Sequence, residues 1–123
     1  MKTFIKNINK LSNKLREVCD FEENHKLVIS HIEDRMELFE ETPDCEELKE
    51  LRAEKKVLED EISEKNLELT RFETEIMDQY INILESANAE KEAKYIKSIR
   101  LNMVQRGAVL NKLLDEFAGV EVI

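Results

Sequence analysis

Apolar residues recur in alternating steps of four and three over the first third of the chain. They fall at Phe4, Ile8, Leu11, Leu15, Val18, Ile29, Ile32, Met36 and Phe39, and only Glu22 and His25 interrupt the series. A heptad repeat sustained this long marks a coiled-coil seam, one stripe of a helix that another helix must cover. At 1.5 Å per residue, residues 4–40 predict a rod of roughly 55 Å.

Glu41-Thr42-Pro43-Asp44 ends that run. Thr42 suits an N-cap, Pro43 the first helical position, and Asp44, Glu46 and Glu47 the positive end of a helix dipole. A second helix is therefore expected over residues 43–87. Its seam is Leu48, Leu51, Leu58, Ile62, Leu69, Phe72, Ile76 and Ile83, with Lys55, Lys65 and Gln79 in the polar gaps.

Folding back at Pro43 predicts an antiparallel hairpin whose paired positions sum to roughly 84–91, a range set by the heptad frame. Phe39 then meets Leu48, Leu15 meets Phe72, and Leu11 meets Ile76. Glu22 falls near Lys65, one charge of each sign at matching depth. Such a register pair adds little stability but penalises slipped alignments.

A third helix is expected over residues 89–118, with Ile96, Ile99, Met103, Leu110, Leu113 and Phe117 on its apolar face and Leu101, Val104 and Leu114 widening it. Ser86-Ala87-Asn88-Ala89 holds two N-cap residues but no Gly or Pro. A helix unbroken from 44 to 118 would exceed roughly 110 Å and leave half its stripe bare. A bend near 86–89 instead lays a basic helix along an acidic hairpin. Gly107 sits inside the helical pattern, where close packing or a kink is the ordinary reason for it. Gly119 ends the pattern, and residues 119–123 form a short apolar tail, Val120-Glu121-Val122-Ile123. That tail either packs over the last turn or offers a strand to a partner sheet.

The expected fold is therefore all-α: an elongated antiparallel hairpin plus a third helix, a coiled-coil-like three-helix bundle making one domain over residues 1–118. Composition agrees with it. The 123 residues include only 2 Gly and 1 Pro, and 38% are charged, a profile of long helices. The hydrophobic 41% is too regularly spaced for a disordered chain.

A net charge of −9 disfavours direct nucleic-acid binding. It is unevenly spread. Residues 1–16 hold five bases and no acid, residues 17–47 twelve acids and two bases, and residues 79–112 six bases and three acids. Cys19 and Cys45 lack metal-site spacing, so reduced thiols and a cytoplasmic location are expected. No run approaches a membrane span. Met1 to Ile8 is basic and amphipathic like a surface anchor, but its stripe continues in frame through Phe39, as the start of a bundle helix does.

Two patterns suggest metal chemistry. Glu46-Glu47-x-x-Glu50 followed by Glu75-x-x-Asp78 resembles the carboxylate signature of the all-α nucleotide pyrophosphohydrolases. The resemblance covers five residues and implies Mg²⁺ held by clustered carboxylates, which suit that cation. On one uninterrupted helix Glu50 and Glu75 lie roughly 37 Å apart, so two chains would have to combine to share an ion. Glu22-x-x-His25 has the spacing used in di-iron bundles, which need two such pairs and two further carboxylates. With only His25 and His31 in the chain, a polar core layer is the favoured reading. No nucleophile elbow or Gly-rich phosphate loop is present.

The expected function is non-enzymatic: a protein–protein interaction module (adaptor, scaffold subunit or chaperone) that works as a homodimer or in a hetero-complex, without cofactor or metal. Ile5, Leu101, Val104 and Leu114 are its expected docking face. The alternative is an acidic inhibitor that mimics nucleic acid through Glu33, Asp34, Glu37, Glu40, Glu41 and Asp44. A Mg²⁺-dependent nucleotide pyrophosphohydrolase is the third reading.

Overall fold

The computed structural model describes residues 1–117 and 119–120. Position 118 and the Glu121-Val122-Ile123 part of the expected tail lie outside the described residues. Among those described there are four helices and no strand: α1 (Lys2–Glu37), α2 (Glu46–Ser86), α3 (Glu90–Ile99) and α4 (Met103–Phe117). Among the described residues no helix is long and apolar enough to cross a membrane.

The helix ends show how local chemistry sets the boundaries. The last turn after α1 tightens, with Leu38, Phe39 and Glu40 each donating to the carbonyl three residues back at 3.0–3.4 Å. Pro43 does not open α2, as its sequence position suggests. It occupies the second place of a turn closed by the Cys45 amide donating to the Thr42 carbonyl at 3.1 Å, where its fixed φ is also favoured. The Thr42 hydroxyl donates back to the Phe39 carbonyl at 3.4 Å instead of capping. The helix begins three residues later than expected, with Glu46 and Glu47 in its first turn.

The expected break near 86–89 is present, and Asn88 makes it. Its backbone is left-handed, φ 61°. The Asn88 amide donates to the Glu85 carbonyl at 3.1 Å and the Ala89 amide to Leu84 at 2.8 Å. This pair of bonds is a Schellman closure, which satisfies carbonyls that a helix end leaves open.

The third helix is not continuous, and residues 89–118 do not form one element. Arg100–Asn102 divide them into α3 and α4. The Asn102 side chain accepts from the Gln105 amide at 3.0 Å, capping α4. Arg106 Nη1 donates to the Arg100 carbonyl, freed by the break, at 3.2 Å. With its first turn restarted at Met103, α4 no longer continues the phase of Ile99. Met103, expected in the seam, is instead 75% exposed.

Contacts divide the chain into two compact units. The first comprises Met1–Leu15 with Leu69–Ile123, the second Arg16–Glu68. In the first unit one core joins Phe4, Ile8 and Leu11 of α1 to Ile76, Met77 and Ile81 of α2, Ala93, Ile96 and Ile99 of α3, and Leu110 and Leu113 of α4. Asn7 donates to Gln79 at 3.0 Å, and Phe4 stacks on Tyr80 and meets Phe117 edge-on, both at 5.9 Å. Asn9 accepts from the Gly119 amide at 2.8 Å, tying the end of the described chain to α1.

In the second unit α1 and α2 run antiparallel. Phe21 lies under Lys65, His25 bonds Glu61, and Glu33 meets Lys55. Each of these pairs falls within the register expected from the heptads. Buried apolar residues here are few: Ile29, Ile32, Leu48 and Leu51.

Candidate interaction surfaces

The expected seam residues fall into three groups. Phe4, Ile8, Leu11, Ile29, Ile32, Leu48, Leu51, Ile76, Ile96, Ile99 and Leu110 are buried. Leu15, Val18, Met36, Phe39, Leu58, Ile62, Leu69, Phe72, Ile83 and Phe117 are half-buried, and Met103 is exposed. Heptad reasoning missed Met77 and Ile81, both buried. With Leu84 they form a second stripe on α2, at i, i+4 and i+7, the signal of a helix covered on two sides.

Glu22 and Lys65 do not form the expected ion pair. Glu22 lies 3.7 Å from Lys26, one turn along α1, and Lys65 stands over the Phe21 ring at 5.4 Å. Phe21 stacks on His25 at 3.9 Å, and His25 Nε2 is 2.6 Å from Glu61. Across the hairpin, His25 pairs at the surface with Glu61, where a Glu22–Lys65 bridge was expected. The reason is geometric. Glu61 lies outside the apolar seam, and its side chain reaches the ring from the flank.

Charge sets α3 and α4 against α2 in the first unit. Lys97 meets Glu85 at 2.6 Å, Arg100 meets Asp78 at 2.9 Å, and Arg106 meets Glu73 at 3.5 Å. As α2 is read backwards its partners advance along α3 and α4, an antiparallel ladder of a basic strip on an acidic one. Arg106 is only 4% exposed, and its Nε has no hydrogen-bond partner among the described residues. Burial raises the Glu73 carboxyl above its ordinary pKa, against the pull of the Arg106 guanidinium.

Of the expected docking face, Leu101 and Val104 are 73% and 78% exposed. Leu114 instead packs against the first unit's core, and Ile5 is half-buried. Met103 joins Leu101 and Val104, so the α3–α4 corner carries three large apolar side chains within four residues. Asn102 and Arg106 fix the backbone that presents them.

Glu33, Asp34, Glu37, Glu40, Glu41 and Asp44 are all exposed. Lys55 lies 3.9 Å from Glu33, and no ion pair involves the other five among the described residues. The second unit holds nineteen acids and eight bases, a net of −11, whereas the first holds nine acids and eleven bases, a net of +2.

The two carboxylate groups of the pyrophosphohydrolase-like pattern belong to different units. Glu46, Glu47 and Glu50 belong to the second unit and Glu75 and Asp78 to the first, and Asp78 is engaged by Arg100. Among the described residues no group of three or more His, Cys, Asp or Glu is placed to hold a metal ion. Cys19 and Cys45 are free thiols. No protein-family model, curated protein or solved structure matches this chain.

Proposed function

We propose that this chain is a non-enzymatic protein–protein interaction module, a helical adaptor, scaffold subunit or chaperone that docks by packing apolar side chains against another protein. The α3–α4 corner carries the reading. Covering a large apolar side chain is worth roughly 1.5–3 kcal/mol, and Leu101, Met103 and Val104 leave that gain available to a partner. Replacing Leu101 and Val104 by Ser is the direct test. The module loses its partner while its thermal unfolding is unchanged. Retention of every partner by that variant contradicts the reading.

The outward carboxylates of the second unit support a second reading, an acidic inhibitor occupying a basic groove. Converting Asp34, Glu37, Glu40 and Glu41 to their amides separates the two. An inhibitor loses binding with its fold intact, whereas docking through the corner persists.

A further inference from the structure

The tip of the second unit's hairpin is flanked by two clefts of similar construction. One, of about 400 Å³, has Met36, Pro43 and Leu48 among its lining and the carboxylates of Glu33, Glu37 and Glu40 along it. The other, of about 240 Å³, is lined by Phe39 and Leu51 with Glu47, Glu50 and Glu54. Half-buried Met36 and Phe39, with buried Leu48 and Leu51, put apolar side chains at the base of each cleft, while all six carboxylates are exposed at the surface. Three bases, Arg35, Arg52 and Lys55, also line the clefts. Lys55 is already held between Glu33 at 3.9 Å and Glu59 at 3.7 Å.

We infer that this tip docks a basic amphipathic segment of another protein, with its large apolar side chains on the cleft floors and its Lys or Arg side chains against the carboxylates. The inference rests on the reading of the chain as an interaction module and names the chemistry of one partner.

Charge selects this occupant. A nucleic acid or an anionic lipid surface is repelled by a unit of net −11, and so is the same unit of a second copy. The basic stretch Met1–Arg16 of a second copy has the right charge but the wrong face, because Phe4, Ile8 and Leu11 are buried in its own core. A charge-only mimic of nucleic acid needs no apolar floor between its carboxylates. A segment that offers both chemistries uses both features of the cleft.

The test uses the full chain and two synthetic helical peptides of identical lysine content. One has leucines along the opposite face, and the other has serines in their place. Fluorescence anisotropy at moderate salt is expected to show the leucine peptide binding and the serine peptide at least about tenfold weaker. Glu37→Gln with Glu50→Gln should weaken the leucine peptide about three- to tenfold. The Leu101→Ser, Val104→Ser protein should bind it as the parent does. Equal binding of the two peptides, no binding, or indifference to the Glu37 and Glu50 changes overturns the inference. If the peptides fail while the corner variant still loses its cellular partner, the inference falls and the module stands. Failure of both removes both.

Discussion

Arg106 and Glu73 meet at 3.5 Å in the first unit, where the same guanidinium donates to the Arg100 carbonyl at 3.2 Å. One buried side chain thus neutralises a carboxylate of α2 and satisfies the backbone group that the α3–α4 break leaves open. Removing one partner of such a pair strands the other. Glu73→Gln should change stability by no more than about 1 kcal/mol at neutral pH, because losing the pull of the Arg106 guanidinium is offset by relief of the burial penalty on the charge. Arg106→Met combined with Glu73→Gln should cost less than the sum of the two changes. Urea denaturation of the four proteins in this cycle checks it, and strict additivity would show that the residues do not interact.

The same pair gives stability a specific dependence on pH. Glu73 has its folded-state pKa raised above the ordinary 4.5, so the folded chain takes up this proton before the unfolded chain does. The burial penalty is fully present above the raised pKa. It is relieved as pH falls through that value, and the gain is complete below 4.5. Glu73→Gln lacks the titration. The parent protein should therefore gain on the Gln variant as pH drops from neutrality towards 4.5, read as the difference in urea midpoints. A constant difference contradicts the burial of Glu73.

Gly107 lies inside α4, and a Cβ there would meet nothing within 4 Å beyond its chain neighbours and its own helix backbone. Close packing by another element does not account for the residue. Gly107→Ala should stabilise the protein by about 0.5–1 kcal/mol, through lower unfolded-chain entropy and better helix propensity. A fall in melting temperature would reveal a packing role.

Asn88 terminates α2 in a left-handed conformation. Asn88→Gly should leave stability within about 0.5 kcal/mol of the parent, because Gly adopts that conformation freely. Asn88→Val should cost about 1–2 kcal/mol, the steric penalty of a side chain in that region. Equal stability of the two variants would place the turn elsewhere.

Much of this architecture was legible in spacing alone. The α1 and α2 seams, their antiparallel register and the turn near residues 86–89 follow from heptads and from the scarcity of breakers. The α3–α4 corner was hidden because no Gly or Pro marks it. Its signal is Asn102-Met103-Val104-Gln105, an N-cap residue followed three positions later by Gln, embedded in an apolar run that reads as continuous helix. The exposure of Met103 and the burial of Arg106 both follow from that one cap. Glu61 was missed because it lies off the seam, where a heptad count does not look. The clefts at the tip depend on side chains from two helices, which a single-helix pattern cannot pair.

Recovery of the tagged protein from its native cells at moderate salt, beside its Leu101→Ser, Val104→Ser variant, is the most direct measurement of the central claim. Co-purifying proteins would be identified, their stoichiometry measured, and thermal unfolding of both proteins recorded. The account predicts a stoichiometric protein partner with the parent chain and its loss with the variant, at equal thermal stability. A parent chain recovered alone and monomeric by light scattering, or one whose every partner is retained by the variant, would contradict it.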